Sequence, residues 1–388
     1  VTDIGTDDWA VHNPNGSKRV IVTKELPGDL WLEALAAADC RVEVCTSKKV
    51  LDRATIKAAF GSHCDGAIGQ LTEAWDADLF GALGAAGGTA YGNYAVGYDN
   101  VDVPAATALK IPVGNTPGVL TDTTAEMAVA LTFAAARRVV ESSRYLADGL
   151  FTGWLPGLFL GKLLHRRTLG LIGAGRIGAA YARALVEGHK MDLVYYDVRA
   201  NEELDEYVAD YSKFLQAHGQ RPVTCRRIES LEELLGVADV VSVHASLNDG
   251  TRHIIDGARL AQMKDDAILI NSSRGPLVDE EALVAHCRTH PEFSAGLDVF
   301  EHEPETAPHL LEQPNIVAVP HLGSATGWTR EGMATLAARN VAAMLNGWPV
   351  WGDPDTSSFL TTAAPQAAPS IVNAGELGLP VFGQEGSS

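Results

Sequence analysis

Three polar residues each follow an apolar run in the second half of the chain. Together they are the set that reduction of a carbonyl requires. Arg274 lies in Asn271-Ser272-Ser273-Arg274-Gly275-Pro276, Glu303 in Phe300-Glu301-His302-Glu303-Pro304, and His321 in Val319-Pro320-His321-Leu322-Gly323. Hydride arriving at a carbonyl carbon leaves an alkoxide that must take up a proton, and histidine titrates near the pH where such a reaction runs. A carboxylate beside the ring, Glu303, fixes its orientation and favours its charged form. A guanidinium, Arg274, can grip the carboxylate of a 2-oxo acid and polarise the neighbouring carbonyl. Singly, each has a plain structural alternative: a surface ion pair, a solvated loop acid, a satisfied core histidine. Three at successive strand ends, downstream of a dinucleotide motif, point to one site.

That motif is Gly173-Ala174-Gly175-Arg176-Ile177-Gly178. The glycine pattern alone is weak. Here an apolar strand pattern, Thr168-Leu169-Gly170-Leu171-Ile172, precedes it and an amphipathic helical pattern follows. Asp197 stands nineteen residues past Gly178, at the end of a second strand, Leu193-Val194-Tyr195-Tyr196. In that setting the motif predicts a dinucleotide fold. Gly173, Gly175 and Gly178 permit a tight turn and close approach of a pyrophosphate. The helix beginning at Arg176 and Ile177 supplies unpaired N–H groups and a positive dipole end. The Asp197 carboxylate can bond the ribose hydroxyls of NAD and would repel a 2′-phosphate. Arg199, two residues on, softens that discrimination, so NAD(H) is expected as the preferred cofactor and NADP(H) as a possible one. His244, Asp298 and Gly323 are placed at the cofactor as well, Asp298 on the nicotinamide side, although His244 has a structural alternative. In the first third, residues 93–102 form a loop after a strand. The N–H groups around Val96 and Gly97 could receive a carboxylate, with an ordinary turn as the alternative.

The elements that must position these residues show the rhythm of βαβ units. Apolar runs at 19–25, 41–45, 66–69, 89–91 and 111–114 alternate with amphipathic stretches such as 28–38 and 76–86. A second series follows at 169–172, 193–196, 240–244, 267–271, 295–299 and 316–320. Each series predicts a parallel sheet covered by helices, and six strands in the second would complete a doubly wound sheet. Between the two series, residues 121–149 read as one long, well-buried helix, with Val139 on its apolar surface. The connection 199–229 is unusually long and contains a helical pattern at 202–218. Its role is either functional or that of a plain insertion. An Ala-rich helix spans 329–346, and the tail from Asp353 reads as extended chain wrapping a surface rather than forming a core.

The bulk composition fits this picture. The chain has 388 residues, which suits two domains, and is 46% hydrophobic and 20% charged. Its formal net charge is −19, which disfavours nucleic acid and anionic membranes as partners. No apolar run reaches the length of a membrane span. Five cysteines, an odd number without a CxxC pair, predict neither a disulfide framework nor zinc and fit a reducing compartment. Cys40 and Cys45 would sit roughly 16 Å apart on opposite faces of one strand.

The segments 93–102, 114–126, 169–178, 267–279, 296–304 and 320–324 resemble the D-isomer-specific 2-hydroxyacid dehydrogenases. Within that family, segments 11–16, 64–73, 148–160, 328–337 and 369–374 are most similar to the NADH-dependent hydroxypyruvate reductases (glycerate dehydrogenases) of plants and algae. The resemblance implies an α/β architecture of two Rossmann-like domains with the active site in the cleft. A discontinuous, flavodoxin-like substrate domain would span 1–122 and 323–388, and a doubly wound NAD-binding domain 123–322. It implies that Arg274, Glu303 and His321 are the substrate arginine, the pairing acid and the proton-donating histidine, that Val96 and Gly97 bind the substrate carboxylate, and that Gly173, Gly175, Gly178 and Asp197 hold NAD. The implied reaction is NADH-dependent reduction of hydroxypyruvate to D-glycerate, with glyoxylate as a secondary substrate, in photorespiratory-type metabolism. The implied assembly is a homodimer.

Rival readings are another member of the family, acting on phosphoglycerate or D-lactate, and an NAD-sensing scaffold of corepressor type. The ending Phe382-Gly383-Gln384-Glu385-Gly386-Ser387-Ser388 lacks the peroxisomal signal common in the plant relatives. With Val1 in first place, the expectation is an intracellular, mitochondrial protein with a missing presequence, and cytosolic residence is the alternative.

Overall fold

The computed structural model describes residues 8–383, so the residues that end the C-terminal segment, Gln384-Glu385-Gly386-Ser387-Ser388, and Val1 lie outside the described residues. The chain divides into two compact units. One comprises the residues up to Leu120 and those from Ala325 onward, and the other is Thr121–Ser324. No described helix is long and apolar enough to cross a membrane.

Among the described residues the first unit holds six strands: β1 (Trp9–His12), β2 (Lys18–Val22), β3 (Cys40–Cys45), β4 (Gly66–Gly69), β5 (Ala90–Asn93) and β6 (Val113–Gly114). Their order is β1-β3-β2-β4-β5-β6. All neighbours are parallel except β1, which pairs antiparallel with β3. Sequence reasoning missed β1, a four-residue edge strand with no fully buried residue and no alternation of apolar and polar positions. Strands β4 and β5 are buried along their whole length, and their small residues explain how. A Cβ on Gly92 would lie 2.9 Å from the carbonyl oxygen of Ala337, and one on Gly66 would lie 3.1 Å from Val341. The helix Gly327–Leu345 therefore packs directly on the sheet through alanines and Val341, which are fully buried at Ala334, Ala337, Ala338 and Val341.

The tail corrects an expectation. It does not only wrap a surface: Ala368 and Ile371 join Ala343 and Val350 in a small core of their own. Asn373 is fully buried; it accepts a hydrogen bond from the Val113 N–H (2.9 Å) and donates to Thr107 Oγ1 (2.9 Å) and the Ile111 carbonyl (3.0 Å). Together with the backbone pairing of Ile371 and Val372 against Gly114 and Val113, that side chain anchors the tail to the β6 edge.

The second unit holds seven strands rather than the six expected. They are β7 (Thr168–Ile172), β8 (Asp192–Tyr196), β9 (Cys225–Arg227), β10 (Val240–Val243), β11 (Ile268–Asn271), β12 (Ser294–Leu297) and β13 (Ile316–Ala318). The order is β13-β12-β11-β10-β7-β8-β9, and all pairs are parallel. The extra strand β9 comes from the long connection after Asp197. Being three residues long with two arginines, it has no apolar signature. Strand order reverses between β7 and β10, and ligands of open α/β sheets bind beyond the carboxyl ends of the strands at such a point.

The expected helix over 121–149 is two helices, Thr121–Ala136 and Val139–Ala147. Arg138 breaks it by adopting a left-handed conformation (φ 53°), which a non-glycine residue enters only when something else holds it there. Here the Arg138 guanidinium is held by Glu141 at 2.8 and 2.9 Å. The first helix is buried as expected, with Ala125, Ala128 and Leu131 in the core. The second buries nothing, and Val139 is 50% exposed, contrary to expectation. All five cysteines are free.

Replacing Asn373 with alanine leaves a buried N–H and a buried carbonyl unpaired. We expect a loss of roughly 1–3 kcal/mol in urea-unfolding stability of the intact protein. An unchanged midpoint would mean that the backbone pairing of the tail with β6 and its apolar contacts hold it without this side chain.

Candidate active site

The glycine turn forms where β7 and β10 diverge. Ile172 and Val243 pair in the parallel ladder, so Gly173 and His244 emerge side by side, and the His244 N–H donates to the Ile172 carbonyl at 2.7 Å. Gly173 takes φ +92°, and a Cβ there would stand 2.7 Å from the His244 backbone. A Cβ on Gly178 would overlap the Gly173 carbonyl oxygen. A Cβ on Gly175 would meet nothing within 4 Å. The first and third glycines thus close the turn onto the helix, while the second leaves open space. The helix Arg176–His189 starts there with no side chain capping its N-terminus. Its first N–H groups and dipole face that space, which is the chemistry a pyrophosphate requires. Arg176 is exposed and Ile177 half-buried at this first turn.

Asp197 closes the far side of the turn. Its carboxylate accepts the Ala174 N–H at 2.7 Å and the Arg199 N–H at 3.1 Å. Each oxygen keeps a lone pair for a diol. Sequence reasoning singled out Arg199 as the neighbouring base. In the structure Arg227 of β9 also reaches this point, donating to the Asp197 carbonyl at 3.0 and 3.3 Å. Nothing local in the sequence betrays that contact, because it depends on β9 pairing with β8.

The three polar residues at successive strand ends come together in this same unit. His321 Nδ1 lies 2.9 Å from Glu303 Oε2. The other oxygen of Glu303 accepts the Phe300 N–H at 3.0 Å. Burial pushes the Glu303 carboxyl up, but the His321 hydrogen bond and charge, the Phe300 N–H and the nearby Arg274 charge outweigh it and hold it below its ordinary range. Glu303 is therefore an anion at neutral pH. His321 itself stands at φ 53°, a strained left-handed position of the kind found at functional sites. With Nδ1 turned to Glu303, Nε2 is the ring's other donor. Arg274 is half-buried, and its own carbonyl accepts from Asn271 Nδ2 at 2.8 Å, which fixes the backbone that carries the guanidinium.

Asp298 was expected at the nicotinamide. It is 1% exposed, and its oxygens accept the N–H groups of Leu322 (2.5 Å) and Gly323 (2.7 Å). Its visible work is to hold the loop that carries His321. Burial raises its pKa most, with the nearby Glu303 charge adding to the effect. Gly323 is needed because a Cβ would stand 2.9 Å from Asp298 Oδ2. His244 turns its ring inward: Nε2 meets Ser242 Oγ at 2.8 Å, Nδ1 is buried, and burial pushes the ring pKa down to about 3. It touches the glycine turn through its backbone and Cβ rather than through an ionisable group.

Val96 and Gly97 lie in the first unit, after β5. The Val96 carbonyl accepts from Asn115 Nδ2 and the Gly97 carbonyl from Asn93 Nδ2, each at 2.9 Å. In a trans peptide the next N–H points the opposite way. The N–H groups of Gly97 and Tyr98 are thereby aimed away from those two asparagines, as an anion-receiving loop needs. Sequence reasoning missed the two asparagines.

Comparison with known proteins agrees with this geometry. The model of the D-isomer specific 2-hydroxyacid dehydrogenase NAD binding domain matches residues 129–323. The chain is 53% identical over 375 residues to a peroxisomal glycerate dehydrogenase of Arabidopsis thaliana, covering 96% of this chain and 97% of that one. It is 40% identical over 344 residues to a glyoxylate reductase of Korarchaeum cryptofilum, covering 85% and 93%. Among solved structures, the TT0316 protein of Thermus thermophilus is similar at a TM-score of 0.76 and 38% identity, covering 91% and 99%. A glycine turn built for a nicotinamide dinucleotide and these likenesses lead to one conclusion: the chain belongs to the D-isomer specific 2-hydroxyacid dehydrogenases, oxidoreductases that act on CH–OH groups with a nicotinamide cofactor.

Proposed function

We propose that the protein reduces hydroxypyruvate to D-glycerate with NADH and reduces glyoxylate to glycolate as a secondary reaction. The observation that carries this reading is the 2.9 Å contact of His321 with an anionic Glu303 within reach of the Arg274 charge. When bound, the reduced nicotinamide supplies the hydride. His321 supplies the proton: held by Glu303 through Nδ1, it delivers from Nε2 to the oxygen that gains charge. Glu303 remains a carboxylate throughout and stabilises the imidazolium before transfer. Arg274 grips the substrate carboxylate and polarises its carbonyl. The Val96–Gly97 loop offers N–H groups to the same class of anion. The likeness to a glycerate dehydrogenase over nearly the whole chain supports hydroxypyruvate over lactate or phosphoglycerate.

Preference for NADH rests on Asp197, whose carboxylate would repel a 2′-phosphate. The Arg227 guanidinium at the Asp197 carbonyl makes NADPH tolerable rather than excluded. Assembly as a homodimer is supported by the second half of the broken helix and the stretch after it, where Leu146, Trp154, Leu160 and Leu163 are 62%, 82%, 70% and 73% exposed. Large apolar side chains left exposed along one stretch of chain are what a subunit interface would cover.

Initial rates on hydroxypyruvate, glyoxylate and pyruvate should rank hydroxypyruvate first and NADH above NADPH. His321→Ala should lower kcat by roughly 10²–10⁴-fold while still binding NADH. Binding of NADH without turnover of any of the three would favour the scaffold reading. Gly178→Ala forces a methyl onto the Gly173 carbonyl and should weaken NADH binding about tenfold or more, at least about 1.4 kcal/mol, in a fluorescence titration. An unaltered Kd would remove the turn from the cofactor site. Light scattering of the purified protein should give twice the 41.1 kDa chain mass, and Trp154→Asp should shift it toward one chain; a monomeric parent would end the dimer proposal.

A further inference from the structure

Glu280 opens the helix Glu280–Thr289, six residues after Arg274, and is 3% exposed. An acid in the first turn of a helix is commonplace, and sequence reasoning passed over it. In the structure its carboxylate faces away from its own helix. One oxygen accepts the N–H of Glu301, and the other accepts the N–H of Ala307 at 2.9 Å. These two N–H groups bracket the segment that carries Glu303. Two further contacts hold the near end of that segment. A Cβ on Gly275 would overlap the carbonyl of Phe300, so the Arg274 and Glu303 loops touch backbone to backbone. His253 Nε2 lies 2.6 Å from Glu301 Oε1. At the far end, by contrast, Glu280 is the side chain that receives the Ala307 N–H.

We propose that Glu280 is a positioning residue for proton transfer: by clasping the N–H groups of Glu301 and Ala307 it keeps Glu303 against His321 and at a fixed distance from Arg274. The proposal rests on the reading of Glu303 and His321 as the proton-donating pair. A buried carboxylate is costly to retain unless its hydrogen bonds are made. Burial raises the Glu280 pKa, the two backbone N–H groups oppose that, and the nearby Glu301 and His302 act in opposite directions. A carboxylate is suited to this place because both of its oxygens accept, whereas an amide offers one acceptor and turns an NH₂ against the second N–H. Around the pair itself the charged groups are Arg274, Asp298, Glu303 and His321.

The test is the pH profile of kcat for NADH-dependent hydroxypyruvate reduction, measured on Glu303→Gln, Glu280→Gln, Glu280→Asp and the double variant E280Q/E303Q. With the charge at position 303 removed, the fall-off of kcat with rising pH should begin at a lower pH in E303Q than in the parent. E280Q should shift the same fall-off by up to about one pH unit, lower kcat roughly tenfold, and leave KM within about twofold, because Arg274 is untouched. If Glu280 acts through Glu303, the double variant should match E303Q alone. Should E280Q fail to fold, E280D keeps the charge but draws it back by one methylene, and the same fall-off is read on it. A lower melting temperature with the parental fall-off and kcat would make Glu280 merely structural and overturn the proposal. A parental fall-off in E303Q itself would instead remove the reading of the pair, and this inference with it.

Discussion

One buried carboxylate connects the chemistry of the second unit to its sheet. Asp298 leaves β12 with its N–H on the Asn271 carbonyl of β11 and its carbonyl on the His321 N–H. Its side chain holds Leu322 and Gly323. Asn271 in turn holds the Arg274 carbonyl. Three strand ends are thereby linked through one residue. Because the hydrogen bonds are short and the residue is almost wholly buried, the arrangement is rigid, and rigidity is what a proton donor and its partner need. The strained backbone of His321 persists because Asp298 holds both sides of it.

How much of this was legible in the sequence follows from the range of each interaction. The parallel strands were visible because strands covered on both faces are continuous apolar runs. The glycine turn was visible because its three glycines do three separate local jobs. Arg274, Glu303 and His321 were visible because each lies in the loop that leaves the C-terminal end of a strand, three to six residues beyond it. What escaped were features set by packing. Strand β9 has no apolar pattern and exists because β8 offers it an edge. Arg138 breaks the long helix through one dihedral angle. Asp298 was placed on the nicotinamide side, but its grip on the loop at Leu322 and Gly323 was not foreseen, since composition cannot say which way a buried carboxylate turns. His244 was placed at the cofactor with a structural alternative, and that its backbone and Cβ pack on the glycine turn was not legible locally. Glu280 looked like any acid at a helix start.

The acidic balance of the chain gives these placements their sense. At a formal −19 the protein repels anions on average, yet both the substrate and the dinucleotide are anionic. Attraction must therefore be local. On the function proposed above it would come from Arg274, from the uncapped N-terminus of the helix Arg176–His189, and from N–H groups aimed by asparagines at 93 and 115. Only one of these is a charged side chain. The other two are oriented backbone dipoles, which carry no ionic atmosphere and need little rearrangement when a ligand arrives.

Strand β9 has a bearing on solubility. It is the outermost strand of a seven-stranded parallel sheet, a place where unpaired backbone groups could recruit a strand from another molecule. It is only three residues long. Arg226 leaves it to meet Glu233 at 2.9 Å, and Arg227 folds back onto the carbonyls after β8. A short edge with two guanidiniums turned along it is a poor template for further pairing. The long connection thus guards the sheet against growth into aggregates, and the same arginine that holds the Asp197 carbonyl serves as part of that guard.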